Sequence, residues 1–226
     1  MQRIITLLVI LCSLPATGAE PLRIAVAANF RSTLETINSR YTQRTGQRIL
    51  LSSASSGALA TQILHGAPFD LFLSADRAAP DTLVQKGMAI QARCYARGSL
   101  VLVGGNLKSL STPARSLAIG NPATAPYGRA AMAVLARPEY DVERTLVRGT
   151  NVLQAYQFWL AGAVDLALVA RALAPDGVAV PAAWHPPLEQ HLVLLRDSPA
   201  ARAYLQWLRS DTVRQMIKDA GYLTCS

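Results

Sequence analysis

Small polar residues stand at four points of the chain where an apolar run gives way to a helical pattern. These junctions are Ala28-Asn29, Ser55-Ser56-Gly57, Pro126-Tyr127-Gly128 and Thr150-Asn151-Val152. The first backbone N–H groups of a helix have no partner within the helix, and the helix dipole makes that end a seat for an anion. Each junction offers neutral donors rather than Lys or Arg, which suits a fully deprotonated oxyanion because such an ion only accepts hydrogen bonds. Together the four junctions predict an anion-binding site.

The polar residues at and near these junctions admit other interpretations. Ser55 or Ser56 could simply be an N-cap that satisfies its own helix. A hydrolase would pair Ser56 with a histidine, but residues 54–58 lack the Gly-x-Ser-x-Gly elbow. The histidines follow no catalytic motif: His65, His185 and His191. Asp70 and Asp76 flank a predicted strand end and could invite a metal, although helix capping or a contact between lobes is favoured.

Hydrophobic periodicity places the junctions on alternating strands and helices. In the first half, strands are predicted at residues 22–28, 48–52 and 69–73, each followed by a helical pattern. In the second half, strands are predicted at 99–103, 117–120, 164–169 and, weakly, around Val147, with helices at 130–135 and from Asn151 onward. Alternation of this kind predicts α/β architecture, with mostly parallel sheets flanked by helices.

Two such α/β units lie in series, and the chain is predicted to cross between them twice, near 96–99 and near 190–197. Lobe 1 then comprises residues 20–97 plus 196–226, and lobe 2 comprises residues 98–195. The closing helices begin at the capping pair Ser198-Pro199 and return to lobe 1. Two lobes joined by two hinge crossovers enclose a cleft, where small ligands commonly bind.

The first nineteen residues differ from the rest of the chain. Arg3 supplies a positive charge, residues 4–14 are nearly all apolar, and small residues precede Ala19. This pattern predicts a secretory signal peptide cleaved near Ala19, because the apolar run is too short to span a bilayer. A lipoprotein leader is disfavoured since the bulky Leu11 precedes Cys12. We therefore expect export to the periplasm.

Composition limits the function classes further. The 226 residues are 51% hydrophobic and 16% charged, which is not the composition of a disordered chain. The formal net charge of +8 would steer an anion toward the protein, or it reflects only the preferences of the host. No Lys/Arg run or aromatic-basic interleaving is present, so no nucleic-acid partner is expected.

Two cysteines, Cys94 and Cys225, remain after cleavage. They could form a disulfide that pins the C-terminal tail, or they could be two unpaired buried thiols. Neither cysteine has metal-ligand spacing.

Several segments of the chain are similar to one known family. They are IAVAANF at 24–30, SASSGALATQI at 53–63, GAPFDLFLSAD at 66–76, AIGNP at 118–122, Pro126-Tyr127-Gly128, and Gly221-Tyr222. The sequence resembles the molybdate-binding periplasmic proteins of ABC transporters over essentially the whole chain after the leader. The resemblance implies a type II periplasmic-binding-protein fold, in which two α/β lobes close about a hinge on one tetrahedral dianion.

The resemblance also implies roles for individual residues. Ser56 matches a serine that donates its hydroxyl and its N–H, and Asn29 stands where members of the family have serine or asparagine. Tyr127 and Val152 match positions whose backbone N–H groups bind the anion. One departure concerns Ala170, which aligns with a tyrosine that donates its hydroxyl in several relatives. We expect the Tyr127 hydroxyl or the Asn29 amide to replace that donor.

By resemblance, the chain is a receptor without catalytic residues that captures molybdate, and also the nearly isosteric tungstate. The metal is bound only as the oxyanion, through Asn29, Ser56, Tyr127 and Val152, and no cofactor is expected. The expected partner is a membrane permease driven by its ATPase, and the receptor is expected to be a monomer. The alternatives are a receptor for sulfate or another tetrahedral oxyanion, a periplasmic Ser/His hydrolase, and the effector half of a transcription regulator. The signal peptide and the lack of a helix-turn-helix segment disfavour the last.

Overall fold

Two sheets of five strands, each flanked by helices, make up the protein in a computed structural model that describes residues 20–113 and 115–225. The predicted signal peptide, residues 1–19, lies outside the described residues. No helix in the described ranges has both the length and the apolar character needed to cross a lipid bilayer. The predicted α/β architecture with two lobes is confirmed.

The first sheet forms lobe 1. Its strands are β1 (Leu22–Ala27), β2 (Ile49–Ala54), β3 (Leu71–Leu73), β4 (Ile90–Arg97) and, late in the chain, β10 (Glu189–Leu194). The spatial order is β2-β1-β3-β10-β4, with β1 parallel to β2 and β3 and with β10 antiparallel to β3 and β4. Its helices are α1 (Arg31–Thr45), α2 (Ser56–Leu64), α3 (Ala78–Gln85), α6 (Pro199–Leu208) and α7 (Asp211–Asp219).

The second sheet forms lobe 2. Its strands are β5 (Leu100–Val103), β6 (Leu117–Gly120), β7 (Leu146–Gly149), β8 (Leu166–Ala170) and β9 (Val178–Ala179). The order is β7-β6-β8-β5-β9, with β6 parallel to β7 and β8 and with β5 antiparallel to β8 and β9. Its helices are α4 (Pro126–Leu135) and α5 (Val152–Leu160).

One predicted lobe boundary is wrong. The predicted range of lobe 2, residues 98–195, would include β10, but β10 hydrogen-bonds to β3 and β4 of the first sheet. The second crossover therefore lies before Glu189, and residues 189–195 belong to lobe 1. Strand β4 was not predicted at all, because its sequence IQARCYAR mixes charged and apolar residues as an edge strand can.

The core of lobe 1 has a layer on each face of its sheet. On one face, Ile24 and Val26 of β1 pack with Leu34 of α1 and Tyr204 of α6. On the other face, a smaller cluster around Phe72 includes residues of α2 and α3. Full burial of an aliphatic or aromatic side chain contributes about 1.5–3 kcal/mol, so both layers hold the strand ends of β1 and β3 in fixed positions.

A disulfide joins Cys94 on β4 to Cys225 in the C-terminal tail. Beside it, Arg97 and Leu223 exchange two backbone hydrogen bonds, each of 2.8 Å. Of the two alternatives left open by the sequence, the structure therefore has the disulfide. The tail is fixed against lobe 1 next to the first crossover, which also fixes the buried Tyr222.

His191 on β10 makes the stability of the fold depend on pH. Its side chain is buried, and neither ring nitrogen has a hydrogen-bond partner in residues 20–113 and 115–225. Burial lowers the pKa of His191, aided by the charge of Arg77 and opposed by Glu189 and Asp81. A histidine whose folded pKa lies below its unfolded value stabilises the fold fully above about pH 6.5. That contribution is lost as the pH falls, because the unfolded chain takes up the proton more readily.

We therefore expect the free energy of unfolding to decrease between about pH 7 and about pH 5, and to decrease less in His191→Leu. Urea denaturation at matched ionic strength measures both slopes. His185→Gln, in the loop before β10, is the matched control and should keep the natural slope. Identical slopes for the natural chain and His191→Leu would contradict this role of His191.

Candidate functional site

The four predicted junctions meet at a single cavity between the lobes. Its lining includes each residue that the sequence singled out: Asn29, Ser56, Tyr127 and Val152. The cavity is small, with a volume of about 10 Å³. None of the described residues that line it is Lys, Arg, His, Asp or Glu. The space therefore suits one small guest that is held by neutral groups.

Helix N-termini supply most of the cavity wall. Ser56 and Val152 are the first residues of α2 and α5, and Tyr127 is the second residue of α4. Their N–H groups have no acceptor within their helices, and no hydrogen bond between described residues uses them. Three donors and the positive ends of three helix dipoles thus border one cavity, which favours an anion there.

The N-terminus of α4 reaches the cavity because Gly128 permits a close approach to β6. A Cβ atom on Gly128 would lie 2.1 Å from the backbone oxygen of Gly120, at the end of that strand. Pro126 at the first helical position needs no hydrogen-bond acceptor, and its fixed φ suits a helix start. The sequence Pro-Tyr-Gly thus brings the Tyr127 N–H close to the carboxyl end of β6.

Ser56 is fully buried, and its hydroxyl accepts a hydrogen bond from the Ala75 N–H at 2.9 Å. The hydroxyl accepts in this bond and donates to no described residue, so its proton remains available to an acceptor in the cavity. No histidine in the described chain bonds to Ser56. Its neighbour Ser55 is the N-cap residue of α2, but the Ser55 side chain makes no capping hydrogen bond. Ser55 therefore occupies the N-cap position without capping the helix through its side chain. The Ser56 hydroxyl is not an N-cap group either, because it bonds to Ala75.

Asn29 lies in a short 3₁₀ turn, Ala28–Phe30, directly after β1. Its Nδ2 donates to Gln190 Oε1 at 2.9 Å and to the Tyr222 hydroxyl at 3.1 Å. The Tyr222 hydroxyl donates in turn to the Asn29 backbone oxygen at 2.7 Å. The other end of the amide, Asn29 Oδ1, is buried without a partner in the described chain.

The Tyr127 side chain is buried, and its hydroxyl accepts from Gln190 Nε2 at 3.4 Å. Burial raises the pKa of Tyr127 well above its usual value, so the hydroxyl keeps its proton at neutral pH. Ala170 closes β8 and is also buried, but it has no side-chain donor to offer. In the second lobe, Asn151 caps α5 by accepting from the Gln154 N–H at 3.0 Å, which orients the Val152 N–H.

Further contacts between the lobes hold the cavity closed. The Gly57 N–H of α2 donates to the Thr124 backbone oxygen at 2.9 Å. Arg129 of α4 forms an ion pair with Asp76 after β3, where Asp76 also accepts from the Ala79 N–H at the start of α3. Asp76 therefore both caps a helix and makes a contact between lobes, as the sequence favoured. Within the described chain, no group of three or more metal-ligating side chains is present.

Removing the ion pair should make closure slightly less favourable. We expect Arg129→Gln to weaken ligand binding by up to about fivefold, because a partly exposed pair contributes up to about 1 kcal/mol, and we expect the effect to shrink at high salt. Titration calorimetry at two ionic strengths measures it. Arg77→Gln removes an exposed pair with Asp81 that lies within lobe 1 and is the matched control. Equal losses in both variants would show that the Arg129 pair has no special effect on closure.

Asp70 has a structural role instead. Its buried carboxylate accepts from Arg196 Nε at 2.6 Å and from the Arg23 N–H at 2.7 Å. These bonds tie the start of β1 to the segment that leaves β10.

A much larger cavity, about 580 Å³, lies beside the disulfide and is lined by lobe 1 residues alone, including Leu205 and Ile217. It contains none of the junction residues, so it is not the predicted anion site.

Comparison with known proteins gives independent information on this chain. A family model described as "Bacterial extracellular solute-binding protein" matches residues 22–223. The chain belongs to this family. It therefore groups with solute-binding proteins rather than with enzymes.

Individual relatives cover nearly the whole chain. A protein named molybdate-binding protein ModA from Rhodobacter capsulatus is 35% identical over 231 residues, or 94% of this chain and 91% of the relative. A protein of the same name from Azotobacter vinelandii is 34% identical over 232 residues, or 92% and 91%. A solved structure of an Azotobacter vinelandii periplasmic molybdate-binding protein matches with a TM-score of 0.83 at 31% identity, covering 91% of this chain and 100% of that one.

Three residues around the site were not predicted: Gln190, Tyr95 and Tyr222. Gln190 and Tyr222 contact Asn29, and Tyr95 contacts Gln190; none of the three is among the residues that line the cavity. Gln190 stands between Glu189 and His191 at the polar start of a strand, so its neighbours in sequence do not mark it as buried. Without knowledge of the strand pairing, that glutamine could not be assigned a partner.

Proposed function

We propose that the chain is the molybdate receptor of an ABC importer. The observation that carries the proposal is the convergence of four neutral junctions, two from each lobe, on one small cavity without a charged lining. A dianion is the guest that such a set of donors and helix dipoles would favour. The names of the relatives support molybdate as the oxyanion.

In this proposal, the oxyanion is bound by neutral hydrogen-bond donors only. Ser56 donates its hydroxyl and its N–H, while Tyr127 and Val152 donate their N–H groups from lobe 2. Asn29 donates its side-chain amide, which takes the place of the donor missing at Ala170. The metal contacts the protein only through its oxygens, and no cofactor takes part.

Size is the proposed basis of selectivity. Molybdate and sulfate carry the same charge and have the same tetrahedral shape, so a ring of donors must distinguish them by radius. Donors set for the larger ion leave gaps around the smaller one, so their distances to its oxygens exceed the range that a hydrogen bond prefers. Tungstate is nearly isosteric with molybdate and should bind almost equally well.

Calorimetric titration of the exported form with molybdate, tungstate, sulfate and phosphate tests the proposal. We expect tight one-to-one binding of the first two ions and little heat from the others. Tight binding of sulfate, without tight binding of molybdate, would show that the chain is instead a sulfate receptor. Hydrolysis of an ester substrate by the same preparation would instead favour the Ser/His hydrolase.

The Tyr127 hydroxyl is the other candidate for the missing donor. Its position 3.4 Å from Gln190 Nε2 supports a role in the hydrogen-bond network around Asn29 rather than on the oxyanion. We therefore expect Tyr127→Phe to keep molybdate affinity within about threefold, which is less than the effect of a typical net hydrogen bond to a charged group. A loss well beyond tenfold would place that hydroxyl on the oxyanion.

The cellular setting belongs to the same proposal. The receptor acts in the periplasm as a monomer, and closure of its lobes is the signal that a membrane permease with its ATPase recognises. Small-angle scattering with and without molybdate would measure closure. A radius of gyration that does not decrease on binding would argue against hinge closure, and a mass of twice the chain would argue against a monomer.

A further inference from the structure

Gln190 stands at the meeting point of the two lobes and the two crossovers. It is the second residue of β10, just after the second crossover, and its side chain is fully buried. Gln190 contacts Asn29 and Tyr95 of lobe 1, each at 2.9 Å, and Tyr127 of lobe 2 at 3.4 Å. A single carboxamide thus joins an anion-site residue of one lobe to an anion-site residue of the other.

The first crossover leaves room for this contact. A Cβ atom on Gly98 would lie 1.9 Å from the Tyr127 hydroxyl and 2.8 Å from Gln190 Nε2. Any other residue at Gly98 would displace one of these two side chains. Phe30 packs edge-on against Tyr95 and Tyr222 with ring centroids 4.9 and 5.1 Å apart, which fixes both hydroxyls beside the amides.

With the two amides in this orientation, the cluster has more hydrogen-bond acceptors than protons to donate to them. The Tyr95 hydroxyl has one proton but faces two acceptors, Gln190 Oε1 at 2.9 Å and the Ser74 backbone oxygen at 3.2 Å. Asn29 Oδ1 is buried with no donor in the described chain. An acceptor at that end of Asn29 would also repel a fully deprotonated oxyanion, because neither partner carries a proton. A buried polar atom without a partner calls for an explanation.

A half turn of both carboxamides resolves these conflicts. Gln190 Nε2 then donates one proton to Asn29 Oδ1 and the other to the Tyr95 hydroxyl, which donates its own proton to Ser74. The Tyr127 hydroxyl donates to Gln190 Oε1. The Tyr222 proton can be shared between Asn29 Oδ1 and the Asn29 backbone oxygen. Every other group in the cluster then has a partner, and Asn29 Nδ2 takes the place of Oδ1 as a donor without an acceptor in the described chain.

We propose that Gln190 is the positioning residue of the anion site: in the turned orientation Gln190 Nε2 holds Asn29 Oδ1, which leaves Asn29 Nδ2 as a donor to an oxyanion in the cavity. The inference rests on the proposed function, since it names the residue that sets one of its donors. Gln190 does not touch the oxyanion; it acts through Asn29. Because Gln190 also contacts Tyr127, the donor orientation of Asn29 is linked to the approach of lobe 2.

A double-mutant cycle distinguishes this role from a merely structural one. Gln190→Met removes both amide ends while keeping an unbranched side chain of similar length, and it should weaken molybdate binding about tenfold. Asn29→Ala should weaken binding at least as much. The double variant should bind no more weakly than Asn29→Ala alone, because Gln190 acts through Asn29. Gln206→Met makes the same chemical change on the exposed face of α6 and should bind like the natural chain.

Side-chain amide NMR of the natural protein provides a test that needs no variant to fold. The NH₂ resonances of both Asn29 and Gln190 should shift when molybdate is added. Unchanged affinity in Gln190→Met, additive losses in the double variant, or a shift at Asn29 without one at Gln190 would each overturn the proposal. A natural chain that binds none of the four oxyanions would overturn the proposed function and this inference together, whereas binding with a silent Gln190 overturns the inference alone.

Discussion

Replacing Ser56 with alanine should weaken molybdate binding about 10- to 100-fold. The Ser56 hydroxyl accepts a hydrogen bond from the Ala75 N–H at 2.9 Å, which holds the hydroxyl oxygen in place. Its proton can then be donated to the oxyanion. Loss of the hydroxyl removes a hydrogen bond to a charged acceptor, which contributes about 1.5–3 kcal/mol, and leaves the Ala75 N–H unpaired. Titration calorimetry of Ser56→Ala against the natural protein measures the ratio of dissociation constants.

Ser55→Ala is the matched control for this prediction. Ser55 is adjacent, is also buried and borders the same cavity, but its hydroxyl makes no capping bond. We expect its alanine variant to bind within about threefold of the natural chain, which is below the effect of a typical hydrogen bond to a charged group. If Ser55→Ala lost more affinity than Ser56→Ala, the two serines would have to exchange roles in the proposed site.

The meeting of the four junctions at one cavity was predictable because each junction is local in sequence. An apolar strand followed by small polar residues and a helical pattern places N–H donors at a strand end, whatever the rest of the chain does. Ser56, Tyr127 and Val152 each follow this rule on their own helix. That the carboxyl ends of the strands share an edge of each sheet follows from parallel pairing, which the alternation of elements also predicts.

The network around Asn29 was not predictable for the opposite reason. Gln190 and Tyr222 lie 161 and 193 residues from Asn29 in sequence, and only the pairing of β10 with β3 and β4 brings Gln190 close. The misplaced lobe boundary has the same origin. A strand that returns from one lobe to the sheet of the other looks, in sequence, like the last strand of the lobe that it leaves.

Breaking the disulfide between Cys94 and Cys225 should have the largest effect on stability. It closes a loop of 131 residues, and constraining so long a loop in the unfolded chain contributes up to about 5 kcal/mol, with about 2–4 kcal/mol typical. We expect reduction, or the double variant Cys94→Ser with Cys225→Ser, to lower the melting temperature by about 6–12 °C. Thermal denaturation followed by circular dichroism, with and without a phosphine reductant, measures the change.

The same bond should influence binding through the tail that it anchors. Tyr222 directly precedes Leu223, which bonds to the Arg97 backbone. The Tyr222 hydroxyl donates to the Asn29 backbone oxygen at 2.7 Å. A loosened tail should therefore weaken molybdate binding moderately, at temperatures where the reduced protein is still folded. The double cysteine variant is the control: the phosphine should change neither its melting temperature nor its affinity. This separates loss of the disulfide from other effects of the phosphine. If reduction left both the melting temperature and the affinity unchanged, the tail would be held by packing of Tyr222 and the Leu223 bridge alone.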